Sequence, residues 1–214
     1  ATVVRFPQRV LALGLPRVEG ILRPADPIVE ADGVAQVVLM DVGMPVMDGI
    51  EAAKKIKELN PNVNVIVHDA MLDRENAEEI FAGYDLIIDG TDNFATRYAL
   101  NRLCFEHQKP LVSGAAIGFE GQVTVYDFCH PKSPCYHCLF PDDGIETDMR
   151  CSENGVFSAL VGMIGTTQAA EAMKLLMNIG TSLQGRLMLL DALNMEWRTI
   201  KLSKDPACKV CAGA

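Results

Sequence analysis

The sequence lacks the long apolar runs that enter membranes and the excess of positive charge that binds nucleic acids. No segment of its 214 residues reaches the ~18 consecutive apolar side chains of a membrane-spanning helix. The N-terminus shows no apolar stretch followed by a small-residue cleavage site. With 19 Lys and Arg against 28 Asp and Glu, the net charge is −9, which does not suit binding along a phosphate backbone. We therefore expect a cytoplasmic protein that binds neither membranes nor nucleic acid.

The chain also lacks an even number of cysteines, internal repeats and low-complexity tracts. Seven cysteines cannot all pair, and in a reducing compartment they suit metal binding or catalysis better than disulfides. Apolar residues at 49% and charged residues at 22% are typical of a globular protein. The length predicts one domain over residues 1–214.

Short apolar runs alternate with amphipathic segments through the first half of the chain. The predicted strands cover residues 10–15, 37–42, 63–69, 85–90 and 110 onward, and the predicted helices cover residues 48–59, 74–83 and 94–107. Asn93 is placed to cap the last of these helices. This alternation is typical of βαβ units and predicts an α/β fold with a doubly wound, mostly parallel sheet.

The pattern changes after residue 120. Residues 121–128 alternate between apolar and polar side chains, as in a strand with one wet face. Residues 155–177 predict a long buried helix that could break near Gly165, and two further strands flank a turn at Leu193 and Asn194. We therefore expect residues 121–214 to continue the sheet with antiparallel strands and to carry a zinc knuckle.

Two Cys-x-x-Cys pairs supply the candidate ligands of that knuckle. Cys135 and Cys138 form the first pair, Cys208 and Cys211 form the second, and both lie in turn-rich sequence. Each pair offers two thiolates from one turn, so two pairs complete the four-sulfur shell of a structural zinc ion. A redox pair or a chance occurrence is the alternative for either pair alone. His137 is expected to face solvent, because four thiolates already fill the shell.

Three cysteines lie outside these pairs. Cys104 is expected to be a small core residue on a helix, and Cys129 a structural residue at a strand end. Cys151 follows Arg150 and precedes the long helix, and both a cation and a helix N-terminus lower the pKa of a thiol. A reactive thiolate and an inert cysteine are equally open interpretations of Cys151.

Acidic residues end the predicted strand at 85–90. Asp89 and Asp92 lie where the carboxyl ends of parallel strands bind ligands, and a carboxylate there can hold Mg²⁺ against phosphate groups. The alternative is that Asp92 and Asn93 only cap the following helix. Taken alone, these residues favour the cap.

Five segments between residue 60 and the C-terminus occur in a recognisable order. They are DLIIDGTDNFATRYALN, KPLVSGAAIGFEGQVTVYD, PCYHCLFPD, CSENGVFSALVGMIGTTQAAEAMKLL and DPACKVCAG. Together they resemble the MoeB/ThiF family of ubiquitin-activating-enzyme-like adenylyltransferases, and the resemblance covers about residues 60–214.

The resemblance implies an activity, cofactors and a partner. Members use ATP and Mg²⁺ to adenylate the C-terminal Gly-Gly of a ubiquitin-fold sulfur-carrier protein in molybdopterin or thiamine sulfur transfer, and they are typically homodimers. It makes Asp92 and Asn93 the expected ATP- and Mg²⁺-binding residues, with Arg97 beside them as a catalytic residue. Cys151 matches a position that handles sulfur in some members. The structural zinc ligands implied by the resemblance are Cys135, Cys138, Cys208 and Cys211.

The N-terminal part, residues 1–60, lacks the nucleotide-binding features that the resemblance implies. Gly14 and Gly20 are isolated, so no Gly-x-Gly-x-x-Gly turn follows the first strand. The lysine expected ahead of the helix that ends at Asn60 falls near Asp48. We therefore expect a single ThiF-like α/β domain with an atypical N-terminal part and impaired ATP binding.

Residues 37–60 resemble instead a strand–helix unit of response-regulator receiver domains. Asp41 matches their phosphoacceptor, but no acidic pair follows the first strand, and His68 and Asp89 occupy the positions of a required hydroxyl and lysine. A phosphorylation-dependent signalling module is therefore not expected. The primary interpretation is a sulfur-carrier adenylyltransferase, and the alternative is a non-catalytic, carrier-binding relic without an ATP site.

Overall fold

The computed structural model describes residues 10–13, 36–40, 49–61, 64–65, 74–142 and 155–212. Within these ranges the chain forms eight strands and five helices. The strands are β1 (Val10–Leu13), β2 (Gln36–Met40), β3 (Asn64–Val65), β4 (Leu86–Asp89), β5 (Leu111–Ile117), β6 (Glu120–Tyr126), β7 (Arg186–Asp191) and β8 (Glu196–Lys201). The helices are α1 (Gly49–Leu59), α2 (Arg74–Ala82), α3 (Phe94–Glu106), α4 (Tyr136–Leu139) and α5 (Ser158–Met177).

The strands form one sheet in the order β3-β2-β1-β4-β5-β6-β7-β8. Strands β1 to β5 pair in parallel, and β6, β7 and β8 add to them in antiparallel pairs. The strand order reverses at β1, which lies between β2 and β4. This confirms the predicted doubly wound sheet with antiparallel strands, and it places β4 next to the reversal, where open α/β sheets bind ligands.

Strand β4 is buried on both faces, as its continuous apolar sequence predicts. Ile87 joins a core cluster that includes Leu100 of α3. Leu86 and Ile88 point the other way and join a second cluster that includes Leu160 of α5. Helices α3 and α5 therefore cover opposite faces of the sheet, and both reach the end of β4.

Helix α5 runs unbroken from Ser158 to Met177, so the predicted break near Gly165 is wrong. A glycine inside a helix costs about 1 kcal/mol relative to alanine, and the buried inner face of the helix outweighs that cost. The helix ends where Asn178 adopts the left-handed conformation with φ 51°. Among the described helices, none has the length and apolarity needed to cross a bilayer.

Strands β7 and β8 form the predicted hairpin around Leu193 and Asn194. The Asp191 carboxylate accepts hydrogen bonds from the backbone N–H groups of Leu193 at 3.0 Å and Asn194 at 3.2 Å. These bonds fix the turn, as aspartate side chains commonly do. Strand β8 lies at the edge of the sheet and is exposed along its length.

Candidate functional site

The turn after β4 is built around the buried carboxylate of Asp89, which is 1% exposed. Its Oδ1 accepts hydrogen bonds from the backbone N–H of Thr91 at 2.9 Å and from the Thr91 hydroxyl at 2.7 Å. Its Oδ2 accepts one from the Ser113 hydroxyl at 3.2 Å, because the β4–β5 register places Ser113 opposite Asp89. These three hydrogen bonds compensate the cost of burying the Asp89 carboxylate, and they fix the conformation of the turn.

Arg97 holds the same turn from α3. Its Nε donates to the Thr91 carbonyl at 3.2 Å, and its Nη2 donates to the same oxygen. Nη2 also lies 3.5 Å from the carbonyl oxygen of Gly114 on β5. The side chain is only 9% exposed, so the guanidinium faces the backbone of the turn. Its predicted catalytic role stays a prediction.

Asp92 and Asn93 follow directly. The Asn93 side chain accepts a hydrogen bond from the Thr96 N–H at 2.8 Å, which confirms the predicted cap of α3. Asp92 is exposed. Of the two acidic residues at this strand end, Asp89 is therefore used inside the fold, and Asp92 presents its carboxylate at the surface beside a helix N-terminus, where anions are favoured.

Gln168 of α5 reaches the end of β4 and the beginning of β5 from the opposite face of the sheet. Its Nε2 donates to the carbonyl oxygens of Asp89 at 2.6 Å and Val112 at 3.2 Å. A Cβ on Gly114 would overlap its amide. The sequence interpretation missed this residue. The available signal was a single amide on the apolar face of α5, four residues after Ile164 and eight after Leu160.

The four cysteines of the two Cys-x-x-Cys pairs come together, with ligand atoms within 4.8 Å of one another. Sulfur–sulfur distances are 3.8 Å for Cys135–Cys138, 3.6 Å for Cys135–Cys208 and 3.4 Å for Cys138–Cys211. A tetrahedral ion with Zn–S bonds of ~2.3 Å needs sulfurs ~3.8 Å apart. The cluster therefore has the donor set and the dimensions to hold a metal ion.

The thiols of this cluster differ in proton affinity. Burial and the neighbouring Cys138 raise the pKa of Cys135 to about 12. Burial also opposes ionisation of Cys208, yet hydrogen bonds from the backbone of Cys211 and Val210 lower its pKa to about 6. A cation entering the cluster must therefore displace a proton from Cys135, whereas Cys208 is ready to bind as a thiolate at neutral pH.

The structure corrects two of the expectations for neighbouring residues. His137 does not face solvent: it is 6% exposed, and its Nδ1 lies 3.8 Å from the Cys208 sulfur. Cys129 does not end a strand: it lies in an exposed turn beyond β6, with its thiol 3.3 Å from the Gln108 carbonyl oxygen. Cys104 is fully buried in the core, as expected.

Helix α3 connects the cluster with the turn after β4. The backbone N–H of Tyr136, next to Cys135, donates to the Asn101 side chain of α3 at 2.8 Å. Burial raises the pKa of the Tyr136 hydroxyl, and the Arg97 guanidinium opposes that shift. The segment that carries Cys135 and Cys138 therefore packs against the same helix that carries Asn93 and Arg97.

Several predicted features lie outside the described residues. Among them are the candidate sulfur-handling thiol Cys151 and the receiver-like Asp41. The isolated Gly14 and Gly20 and the region around Asp48 lie outside them as well. Their expected roles stay predictions.

Sequence comparison finds relatives that are named as adenylyltransferases or activating enzymes. The chain is 45% identical over 161 residues to "Adenylyltransferase and sulfurtransferase MOCS3" of Caenorhabditis briggsae, covering 74% of this chain and 40% of that protein. It is 43% identical over 174 residues to the SAMP-activating enzyme E1 of Haloferax volcanii, covering 80% and 62%. It is 43% identical over 177 residues to a sulfur carrier protein adenylyltransferase of Thermus thermophilus, covering 80% and 64%. The chain thus spans less than two thirds of each relative.

Structural comparison and a family match agree on the fold. The crystal structure of Escherichia coli MccB with MccA-N7isoASN gives a TM-score of 0.73 at 14% identity, covering 96% of this chain and 67% of that one. MccB with ATP gives 0.69 at 14% identity, covering 95% and 66%. At such identities the likeness shows the fold alone. The ThiF family model matches residues 40–210, and the chain therefore belongs to the ThiF family.

Proposed function

We propose that this chain is an ATP-dependent adenylyltransferase that activates the C-terminal Gly-Gly of a ubiquitin-fold sulfur-carrier protein. The observation that carries the proposal is the exposed Asp92 on a turn that Asp89 and Arg97 hold at the end of β4, beside the reversal of strand order. One relative named as a sulfur carrier protein adenylyltransferase and another named as an adenylyltransferase and sulfurtransferase support it. We further propose molybdopterin or thiamine sulfur transfer in the cytoplasm as the setting of this activity.

The reaction joins two anions. A carboxylate oxygen of the carrier's terminal glycine attacks the α-phosphorus of ATP, and the bond from that phosphorus to the bridging oxygen breaks, so that pyrophosphate leaves. Bound Mg²⁺ supplies positive charge that lowers this barrier. Asp92 would hold the ion. Asn93 caps the N-terminus of α3, where the positive end of the helix dipole would favour the phosphates. Arg97 would keep the turn in place and add positive charge behind it.

We assign the four-cysteine cluster a structural zinc ion. Four thiolates leave no open coordination position, which is the pattern of structural rather than catalytic zinc. The ion would tie the segment that follows β8 to α4 and, through Asn101, to α3. It would be held by Cys135, Cys138, Cys208 and Cys211.

Whether the adenylyltransferase activity is full or impaired depends on how well the N-terminal part of the chain binds ATP. The family match begins at residue 40, and the sequence before it has no glycine-rich phosphate turn. We therefore propose one ThiF-like α/β domain over residues 1–214, with an atypical part at 1–60 and an antiparallel, zinc-binding part at 121–214. A homodimer and a sulfur-handling Cys151 belong to the same proposal. The missing turn also favours a second candidate, a relic that binds the carrier but not ATP.

Weak nucleotide binding is the expected result. Losing several charge-assisted contacts of ~1.5–3 kcal/mol each removes most of the ~8 kcal/mol of a micromolar affinity. We expect calorimetry to give a millimolar Kd for MgATP. ATP–pyrophosphate exchange should be slow, should depend on added carrier, and should be lost in Asp92→Ala. The matched control is Glu79→Ala, which removes an exposed acid on α2.

Two outcomes would contradict the prediction of weak MgATP binding with slow pyrophosphate exchange. Carrier binding without any exchange would establish the relic. Micromolar MgATP affinity that disappears in Asp92→Ala would show that residues 1–60 supply a complete nucleotide site.

A further inference from the structure

We infer that Gln168 is a positioning residue for the proposed adenylylation: its amide ties the end of β4 to the first residues of β5 and so fixes the position of Asp92. This rests on the proposed function for its catalytic consequence, whereas the fastening itself rests on the geometry alone. Gln168 lies on α5, across the sheet from the turn that carries Asp92, and it is 1% exposed.

The amide bridges two neighbouring strands at the point where β4 ends. Its Nε2 lies 2.6 Å from the carbonyl oxygen of Asp89 and 3.2 Å from that of Val112. An amide nitrogen has two hydrogens, so it can satisfy both carbonyls at once. Asp89 is the last residue of β4, and Val112 precedes its β5 partner Ser113. The bond therefore fixes the last backbone carbonyl before the chain turns.

The constraint passes from Asp89 to Asp92 through a short series of contacts. The Asp89 side chain binds the N–H and hydroxyl of Thr91, and the Thr91 carbonyl binds Arg97. Asp92 is the next residue. Its backbone is thus defined by α5 through Gln168, by β5 through Ser113 and by α3 through Arg97.

Packing alone does not explain a glutamine at this position. The preceding inward residues of α5, Leu160 and Ile164, are apolar, and a buried amide is costly unless it is hydrogen-bonded. An apolar side chain of similar size would fill the space without that cost. Gly114 is matched to the amide, because a Cβ there would occupy its place. Two positions on separate elements are therefore adapted to bring a hydrogen-bond donor to these carbonyls.

The test replaces Gln168 with methionine, which keeps the volume and removes the donors. Thr167→Val is the matched control, because the Thr167 hydroxyl bonds only within the helix, to the Met163 carbonyl at 2.7 Å. Hydrogen exchange of the peptides spanning 86–97 is measured on the whole chain, together with the Mg²⁺ concentration that half-saturates carrier-dependent pyrophosphate exchange. For Gln168→Met we expect both quantities to rise about tenfold, as for the loss of one or two hydrogen bonds.

A second variant and a control region distinguish a local effect of Gln168→Met from general destabilisation of the fold. Ser113→Ala removes one donor from Asp89 and should shift both quantities in the same direction by less. The peptides of the β7–β8 hairpin report global destabilisation, and equal acceleration there would overturn a local role for Gln168. Thr167→Val should leave both quantities unchanged.

The two measurements separate the possible failures. Faster hydrogen exchange with unchanged Mg²⁺ dependence would overturn the positioning role and leave Gln168 a structural residue. Unchanged hydrogen exchange in Gln168→Met would overturn the fastening itself. If the wild-type chain shows no pyrophosphate exchange with carrier, the proposed function fails, and the catalytic consequence with it. The hydrogen-exchange data would still decide the fastening.

Discussion

Cys208→Ser is the most direct test of the metal centre. Cys208 is 3% exposed, and its sulfur lies 3.6 Å from that of Cys135. A hydroxyl is a much poorer ligand than a thiolate for a soft site, so the variant keeps the shape of the side chain and removes one of four donors. We expect about one zinc per wild-type chain and a weakly held zinc in the variant.

The expected loss of zinc-binding free energy follows from the removal of one of the four ligands. Structural zinc sites of this kind contribute roughly 10–16 kcal/mol at pH 7. A quarter of that is roughly 3 kcal/mol, which weakens zinc binding by about a hundredfold.

Part of this energy is folding energy, because the cluster attaches the segment after β8 to the rest of the protein. That segment is also held by hydrogen bonds from the Lys204 amine to the Pro131 carbonyl at 2.9 Å and from the Asp205 N–H to the Cys138 sulfur at 3.4 Å. For a chain of this size, 1 kcal/mol shifts Tm by roughly 2–4 °C. A fall of about 10 °C is therefore expected for Cys208→Ser.

The assay combines metal content by atomic emission, competition with a chromophoric chelator, and thermal unfolding. Cys129→Ser is the control, because that thiol is exposed and lies outside the cluster. It should retain zinc and Tm. Full zinc retention in a chain lacking both Cys135 and Cys138 would refute the assignment.

The pH dependence of zinc binding has a defined sign. In the metal-free protein the pKa of Cys135 is about 12 and that of Cys208 about 6. Zinc therefore displaces protons on binding, and its affinity falls as the pH is lowered. The fall of zinc affinity with decreasing pH should become steeper below about pH 6, because Cys208 also becomes protonated there. Chelator competition between pH 8 and pH 5.5 measures this, and a pH-independent affinity would contradict it.

Two further predictions concern packing and reactivity. Gly114→Ala should lower the free energy of unfolding by about 1–3 kcal/mol, because the new methyl group meets the Gln168 amide. Gly162→Ala, whose methyl group meets nothing within 4 Å, should raise it by about 1 kcal/mol; urea unfolding that ranks the two variants the other way would contradict the packing. Cys151 should be the first thiol alkylated by iodoacetamide in the zinc-loaded protein. Its main competitor is the exposed Cys129, but partial desolvation and the neighbouring Asp127 carboxylate raise the pKa of that thiol and so lower its reactivity. Peptide mapping that finds Cys129 labelled first would show that the environment inferred for Cys151 is wrong.

The sequence determined those features that depend on residues close together in the chain. The apolar runs and amphipathic periods predicted the described strands and every described helix except the short α4, and Asn93 predicted the start of α3. The cluster of four cysteines could be predicted because each Cys-x-x-Cys turn is a local motif and two such turns complete one possible metal shell. Asp89 and Asp92 could both be placed at the end of β4 for the same reason.

Only the tertiary structure decided how those two acids divide their roles. Asp89 becomes a buried anchor because Ser113 lies opposite it on β5, 24 residues away, and Asp92 is left at the surface. Gln168 is 79 residues from Asp89 in sequence, yet its amide holds that residue's carbonyl. His137 and Cys129 were assigned the wrong surroundings because burial depends on which distant element packs against a turn. A local sequence pattern does not predict contacts between distant residues, because these contacts depend on the order of the strands in the sheet and on their register.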